Sequence, residues 1–141
     1  MVLEFPLTRD FYSRYKDNPK EGQLQTFDIA KKLAFAFMER QHIRGDDLDT
    51  LALVLNSFGK EANIGIVAKV EGNKVIARNI SLCPIMLSSR AYKIPWDWMD
   101  EVVGWPFMAG LASAVNPKVK QSITRARVRG DSECVHIFEI I

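Results

Sequence analysis

The sequence predicts one α+β domain over residues 1–141, with an antiparallel sheet of two hairpins packed with helices. Helical and strand-like periodicities occupy separate stretches, in the order helix, helix, strand, strand, helix, strand, strand. Glycine turns join the strands of each pair, at Gly72-Asn73 and at Gly130-Asp131. Separate runs of helices and hairpins are typical of α+β domains whose sheet is covered on one face.

The composition of the chain limits the classes of protein to which it is expected to belong. With 48% hydrophobic and 26% charged residues, the chain is expected to fold rather than remain disordered. A net charge of +2 predicts no general attraction to nucleic acid or to acidic membranes. The sequence has no basic segment leading into a long apolar run and no stretch near the roughly 20 apolar residues of a membrane span. We therefore expect a cytoplasmic protein, with Cys83 and Cys134 as free thiols.

Residues 1–22 mix aromatic and charged side chains without a clear period. The aromatic residues are Phe5, Phe11, Tyr12 and Tyr15. This is more apolar surface than a free tail carries, so part of the segment is expected to pack on the domain or to serve as a dimer arm.

Two helices are predicted next. From Gln23 to about Gln41, apolar residues recur at helical spacing, and Gly45-Asp46-Asp47 then supplies an N-cap acid for a second helix. That helix is expected to end at Gly59. The apolar faces are formed by Leu24, Phe27, Ala30, Ala34, Phe37 and Met38, and by Leu48, Leu51, Ala52, Leu55 and Phe58.

The pattern then changes to strands. Residues 64–70 alternate and residues 75–82 are rich in β-branched side chains, which predicts a hairpin about Gly72-Asn73. Residues 94–117 are long and apolar and are expected to be helical, with a break at Gly104-Trp105-Pro106. The segments "KVKQSITRARVRG" and "ECVHIFEII" read as the last two strands.

Cys134 and His136 stand two residues apart on the last predicted strand, so their side chains share one face. A histidine beside a thiol can generate a nucleophilic thiolate, but a packed cysteine is the more common arrangement and the one we favour. Together with Cys83, these two residues give three candidate zinc ligands, whereas a structural zinc site usually has four. No metal and no cofactor are therefore predicted.

The arginines of the last hairpin alternate, at Arg125, Arg127 and Arg129, and Arg78 lies in the other hairpin. With a two-residue loop, Arg125 would lie opposite His136; a one-residue bulge would place them on opposite faces. The arginines could form a clamp for an anion or a solvated face of the sheet, and the solvated face is favoured.

Residues 95–111 contain all three tryptophans of the chain. The large side chains of this region include Trp96, Trp98, Trp105, Phe107 and Met108. Aromatic rings and methionines at this density can line an apolar ligand cavity, and they can equally form core or a dimer face.

Three segments, "ISLCPIMLSS", "VVGWPFMAGLASAVNP" and "ARVRGDSECVHIFEI", resemble the 4-vinyl reductase domain and the related aminothiazoline carboxylate hydrolase-like family. The resemblance rests on Cys83-Pro84, on Gly104 and Gly110 in the helix, and on the final Gly130-Asp131 and Cys134. It implies an α+β fold, often dimeric, that encloses small hydrophobic or aromatic molecules as a sensor, a tetrapyrrole-associated domain or a hydrolase. Zinc-binding members carry a cysteine where this chain has Ala126.

The leading interpretation is a sensor-type, homodimeric domain that binds a small hydrophobic or aromatic molecule. Its expected ligand-binding residues are Trp96, Trp98, Trp105, Phe107 and Met108, with Arg78, Arg125 or His136 as polar anchors. One alternative is a hydrolase of a small cyclic or amide substrate, with Cys134 or Cys83 as nucleophile and His136 as base. A second is a subunit with an assembly role, and the lack of a recognised catalytic motif favours a protein that is not an enzyme.

Overall fold

The computed structural model describes residues 5–79 and 83–141, and it confirms a mixed α+β fold. The helices are α1 (Arg9–Tyr15), α2 (Pro19–Arg40), α3 (Leu48–Glu61), α4 (Pro84–Tyr92), α5 (Trp96–Met99) and α6 (Trp105–Val115). A π-helical turn, Asp100–Gly104, joins α5 to α6, and short 3-10 turns lie at Phe5–Leu7 and Arg127–Arg129. The strands are β1 (Val67–Glu71), β2 (Lys74–Asn79), β3 (Val119–Arg125) and β4 (Cys134–Ile140). None of the described helices is both long and apolar enough to cross a membrane.

The four strands form one antiparallel sheet in the order β1-β2-β4-β3. The first hairpin turns at Gly72, whose φ of +64° lies in the left-handed region that glycine adopts readily. The two hairpins join where β2 pairs with β4, which places Ala77 beside His136. The predicted extension of the second strand to Leu82 falls on residues 80–82, outside the described residues.

The last hairpin does not have the register that a two-residue loop would give. Its strands are joined by residues 126–133, with Gly130 at a φ of +97°. Ile123 lies opposite His136 and Arg125 opposite Val135, so a bulge at Thr124 shifts the register by one residue. Such a bulge moves Arg125 to the face of the sheet opposite His136.

The end of α3 corrects the sequence prediction. Helix α3 continues through Gly59 to Glu61. A Cβ atom at Gly59 would lie 3.1 Å from the carbonyl oxygen of Ile64 and 3.3 Å from Cβ of Ile66. The glycine therefore eases the close return of the chain toward β1, and it does not end the helix.

Helix α4 is absent from the predicted order of elements. It begins at Pro84, in the first helical turn, where proline is favoured because that N–H has no helical partner. The predicted break near Gly104 takes the form of the π-helical turn, in which the N–H of Trp105 bonds to the carbonyl of Asp100. The helical path thus continues past Pro106, which has no N–H to donate.

The main core lies between the sheet and helices α2, α3 and α6, and includes Phe37, Leu51, Leu55, Leu111 and Phe138. A second cluster consists of Phe11, Ile94, Met99, Val102 and Val103. Phe11, in the N-terminal segment, is therefore packed on the domain. The dimer arm stays a prediction, and the side chain of Phe5 lies outside what the structure describes.

Gly110 sets the distance between α2 and α6. A Cβ atom there would collide with the carbonyl oxygen of Phe27 and would lie 2.8 Å from Cβ of Ala30. Only glycine permits this close approach of the two helices.

Candidate functional site

A cavity of about 80 Å³ lies where the π-helical turn and the start of α6 face strands β2 and β4. Its apolar lining comes from the first 3-10 turn, the segment before β1, strand β2, α4, the π-helical turn and α6. These residues are Pro6, Leu7, Ile64, Ile66, Ala77, Pro84, Ile85, Val103, Gly104, Trp105, Phe107 and Met108. The polar lining residues are Arg78, Asn79, Cys83, Asp100, Cys134 and His136.

Asp100 supplies a carboxyl group to this cavity. The residue is 5% exposed, and its Oδ2 atom has no hydrogen-bond partner in the described part of the chain. Burial raises the pKa of Asp100 to about 6, an effect opposed by the positive charge of Arg129 and reinforced by Glu101. The site therefore holds a desolvated carboxyl group that is still mostly ionised at neutral pH.

Gly104 makes room for this carboxyl group. A Cβ atom at Gly104 would lie 3.1 Å from Oδ1 of Asp100 and 3.3 Å from Cγ1 of Ile85. The glycine in the π-helical turn thus leaves space for the Asp100 side chain against the wall of the cavity.

His136 is neutral, and its tautomer follows from its neighbours. The Gln121 side-chain amide nitrogen donates to the carbonyl oxygen of Trp105 at 3.1 Å and lies 3.0 Å from Nδ1 of His136. Because a carbonyl cannot donate, this amide must present its nitrogen, and Nδ1 must accept its second hydrogen. The proton of the neutral ring is then on Nε2, and burial lowers the pKa of His136 to about 4.

Both thiols of the cavity are held in the protonated form. Cys83 directly precedes α4, and Cys134 begins β4, where its sulfur accepts a bond from the Arg127 N–H at 3.5 Å. Burial is the main cause that raises the pKa of each thiol, and the charge of Asp100 raises both further. The two thiols therefore lie near the same carboxyl group.

We expect both cysteines to react slowly with iodoacetamide at pH 7.5, because a thiolate is the reactive form and both pKa values are raised. The rate for the folded protein should be at least about tenfold below that of the urea-unfolded chain. Mass spectrometry of the two cysteine peptides measures each rate. Fast alkylation of either cysteine in the folded protein would contradict this and favour the hydrolase alternative.

The structure places only some of the predicted ligand-binding residues at the cavity. Trp105, Phe107 and Met108 line it. Trp98 instead packs its ring against Phe11 and Tyr12, with ring centroids 6.4 and 4.8 Å apart. Trp96 and Arg125 are not among the lining residues.

The two predicted arginine anchors meet at one acid. Arg78 and Arg125 both contact Oε2 of Glu133, at 3.0 and 3.6 Å. Arg78 borders the cavity, but its guanidinium is held in this ion pair. Arg129 takes a different place, with its guanidinium 5.0 Å from the ring centroid of Trp105. The three arginines therefore lie around the site, but they do not form a free anion-binding clamp, because their guanidinium groups already contact Glu133 or Trp105.

Asp100 and Gln121 are site residues that sequence reasoning missed. Asp100 carried a usable signal, because at helical spacing it shares a face with Val103 and Phe107, where an acid is unexpected. Gln121 carried no such signal, since its role depends on the contact between β3 and the first residue of α6. Within the described ranges, no group of three or more His, Cys, Asp or Glu residues is arranged to hold a metal ion.

No family model matches this sequence, and no curated protein matches it. Among solved structures, one similar chain is an H-NOX domain from Shewanella oneidensis in the Fe(II)CO ligation state. The chain shares its fold with this domain. The alignment has a TM-score of 0.52 and 16% sequence identity, and it covers 84% of this chain and 65% of the H-NOX chain. At this identity the likeness concerns the fold alone, and the resemblance to 4-vinyl reductase domains stays a prediction.

Proposed function

We propose that the chain is a binding domain for a small, largely apolar molecule that occupies the cavity between α6 and the β2–β4 strand pair. The observation that carries this proposal is a mostly apolar cavity that also holds a buried carboxyl oxygen without a partner in the described chain. An apolar pocket with a few converging polar groups is the usual form of a small-molecule site. Plain core would be filled by side chains and would not leave a cavity of this size.

The size of the cavity limits the ligand. An apolar cavity of about 150 Å³ takes up benzene, whereas this one has about 80 Å³. On the same scale the cavity encloses on the order of three heavy atoms, and the rest of a larger ligand lies outside it. At a ceiling of about 1.5 kcal/mol per heavy atom, the enclosed part of the ligand supports a Kd no tighter than about half a millimolar.

The iron of the H-NOX domain is not carried over to this cavity. His136 uses Nδ1 as an acceptor for Gln121 and carries its proton on Nε2, so neither ring nitrogen offers a lone pair to a metal. Among the described residues, no group of three or more His, Cys, Asp or Glu residues is arranged to hold a metal ion. The residues present do not fit an iron centre, and no iron chemistry is proposed.

The sensor-type role and the homodimer are parts of the proposal that rest on the resemblance to 4-vinyl reductase domains. The hydrolase alternative receives less support from the geometry. A general base needs a free lone pair facing the thiol, while Nε2 of His136 is protonated and Nδ1 is already bonded.

A thermal-shift experiment tests the binding function, with 2-propanol, isobutanol and cyclopentanol as probes. At ten times Kd, a ligand stabilises the folded state by about 1.4 kcal/mol, which corresponds to a rise in Tm of about 4–6 °C. Quenching or a spectral shift of tryptophan fluorescence should accompany binding, since Trp105 lines the cavity.

Ala77→Leu places extra carbon atoms in the cavity, because Ala77 lines it and is 2% exposed. We expect this variant to lose at least about five-sixths of the ligand-induced shift, and filling a void leaves its own Tm unchanged or higher. Ala36→Leu adds the same atoms to an exposed position of α2 and should keep the full response. A wild-type protein without any saturable shift, or an equal shift in Ala77→Leu, would overturn the proposal.

A further inference from the structure

We propose that the ligand carries a hydrogen-bond donor, in the preferred case a protonated amine, which binds the carboxyl group of Asp100 inside the cavity. This inference rests on the proposed binding function and adds the chemical class of the ligand. It predicts that the cavity selects compact apolar amines over alcohols of the same shape, and both over carboxylates.

The first argument is the unmet hydrogen-bonding capacity of Asp100. At 5% exposure, with Oδ2 unpartnered in the described chain, the carboxyl group has lost contact with water without gaining the hydrogen bond that would offset this loss. Buried polar groups in folded proteins are nearly always paired, so an unpaired oxygen on a residue that lines a cavity calls for a donor from outside the chain.

The second argument is that no group in the described chain is hydrogen-bonded to this oxygen, although the Cys83 and Cys134 thiols lie near the carboxyl group. Beside the other oxygen, Oδ1, the wall is formed by Gly104 and Ile85, whose side chains offer no donor. Arg129 influences Asp100 through its charge, but it is exposed and its guanidinium lies over the Trp105 ring. A ligand with an N–H group would therefore meet a carboxylate that no side chain has already neutralised by direct contact in the described chain.

The third argument is the chemistry of the rest of the lining. A protonated amine and a carboxylate form a short, charge-assisted hydrogen bond, which is strongest where water is excluded. A ligand carboxylate would instead meet the like charge of Asp100 in the same small space. His136, with its proton on Nε2, lines the same cavity and can donate to an oxygen elsewhere on the ligand.

The test uses isobutylamine, isobutanol and isobutyrate, three probes of matched shape, in NMR or calorimetric titrations at pH 7.5. For wild type we expect isobutylamine to bind at least about tenfold more tightly than isobutanol, and isobutyrate to bind more weakly than either. Asp100→Asn should weaken the amine by about 10- to 100-fold, the range expected for a hydrogen bond to a charged group, and leave isobutanol within about threefold. Asp97→Asn removes an exposed acid of the same helical segment and should leave all three affinities within about twofold.

A pH series on the wild-type protein gives a second readout that needs no variant. The affinity for isobutylamine should fall about tenfold from pH 7.5 to pH 5, because the carboxyl group of Asp100 becomes protonated while the amine stays charged. The charged groups acting on Asp100 are Arg129 and Glu101, and the Cys83 and Cys134 thiols are neutral at both pH values.

The outcomes separate the two proposals. Equal binding of the amine and the alcohol, or an amine affinity that survives both Asp100→Asn and pH 5, overturns the donor inference and leaves the binding function in place. No saturable binding of any probe overturns both.

Discussion

Replacing Gly110 with alanine should destabilise the protein by about 3 kcal/mol, the upper part of the usual range for overpacking a core. The added Cβ atom would meet the carbonyl oxygen of Phe27 and Cβ of Ala30, which belong to the backbone and core face of α2. Neither can move unless the two helices separate. Separation would in turn disturb the core under α6, where Leu111 and Ala112 are fully buried.

Urea unfolding followed by circular dichroism measures this effect as a lower midpoint with an unchanged slope. Gly104→Ala is the matched control, because it makes the same substitution six residues earlier in one continuous helical path. Its Cβ atom would press on the Oδ1 atom of Asp100, 3.1 Å away, at the end of a side chain that can rotate. We expect a change within about 1 kcal/mol for the control, and equal losses for the two variants would refute the close-approach role of Gly110.

Replacing Asp100 with asparagine should stabilise the unliganded protein at pH 7.5 by about 1–3 kcal/mol. The folded pKa of about 6 lies above the ordinary value of 3.8, so the folded state binds the proton more tightly than the unfolded chain. Stability from this group is therefore fully present below about pH 4 and is lost as the pH rises through 6. Asparagine has the same shape and does not ionise, so it removes this loss.

His136 acts in the opposite direction over much of the same pH range. Its folded pKa of about 4 lies below the ordinary 6.5, so its contribution is present above pH 6.5 and is lost as the pH falls toward 4. In the wild-type protein the two effects partly cancel between pH 4 and 6. In Asp100→Asn the histidine acts alone, and stability should fall more steeply from pH 6.5 to pH 4.5 than in wild type.

Urea midpoints of both proteins at pH 4.5, 5.5, 6.5 and 7.5 test this prediction. Asp97→Asn again serves as control, since it removes the same charge at an exposed site. An Asp100→Asn variant that is less stable than wild type at pH 7.5 would show that the carboxyl group is paired in solution, and the cavity would then lack the unmet acceptor that we infer. The same variant thus links the stability of the unliganded fold to the affinity for an amine.

The sequence was informative where structure depends on neighbouring residues. The helical period in residues 23–41 and the N-cap acid Asp47 predicted α2 and α3 because amphipathic spacing and capping are local properties. Gly72 and Gly130 predicted turns because positive φ values are easily reached only by glycine. Pro84 is a local signal that the predicted order of elements did not use, since α4 begins there and was not predicted.

The candidate site was only partly predictable for a different reason. The density of aromatic residues pointed to the segment that lines the cavity, but it could not separate Trp105, which faces the cavity, from Trp98, which packs on α1. That distinction depends on the direction of each side chain after the π-helical turn. The bulge at Thr124 likewise decided on which face of the sheet Arg125 lies, and no residue type in the sequence predicts a bulge of this kind.

The sequence by itself thus determined the fold class, the two hairpins and the main helices, because periodicity, capping and turn chemistry act within a few residues. Only the tertiary structure decided that Oδ2 of Asp100 would be buried without a hydrogen-bond partner among the described residues, that Gln121 would select the tautomer of His136, and that both thiols would lie near one carboxyl group. These properties arise from desolvation and from contacts between segments that are distant in the chain. The residues next to each position in the sequence therefore do not predict them.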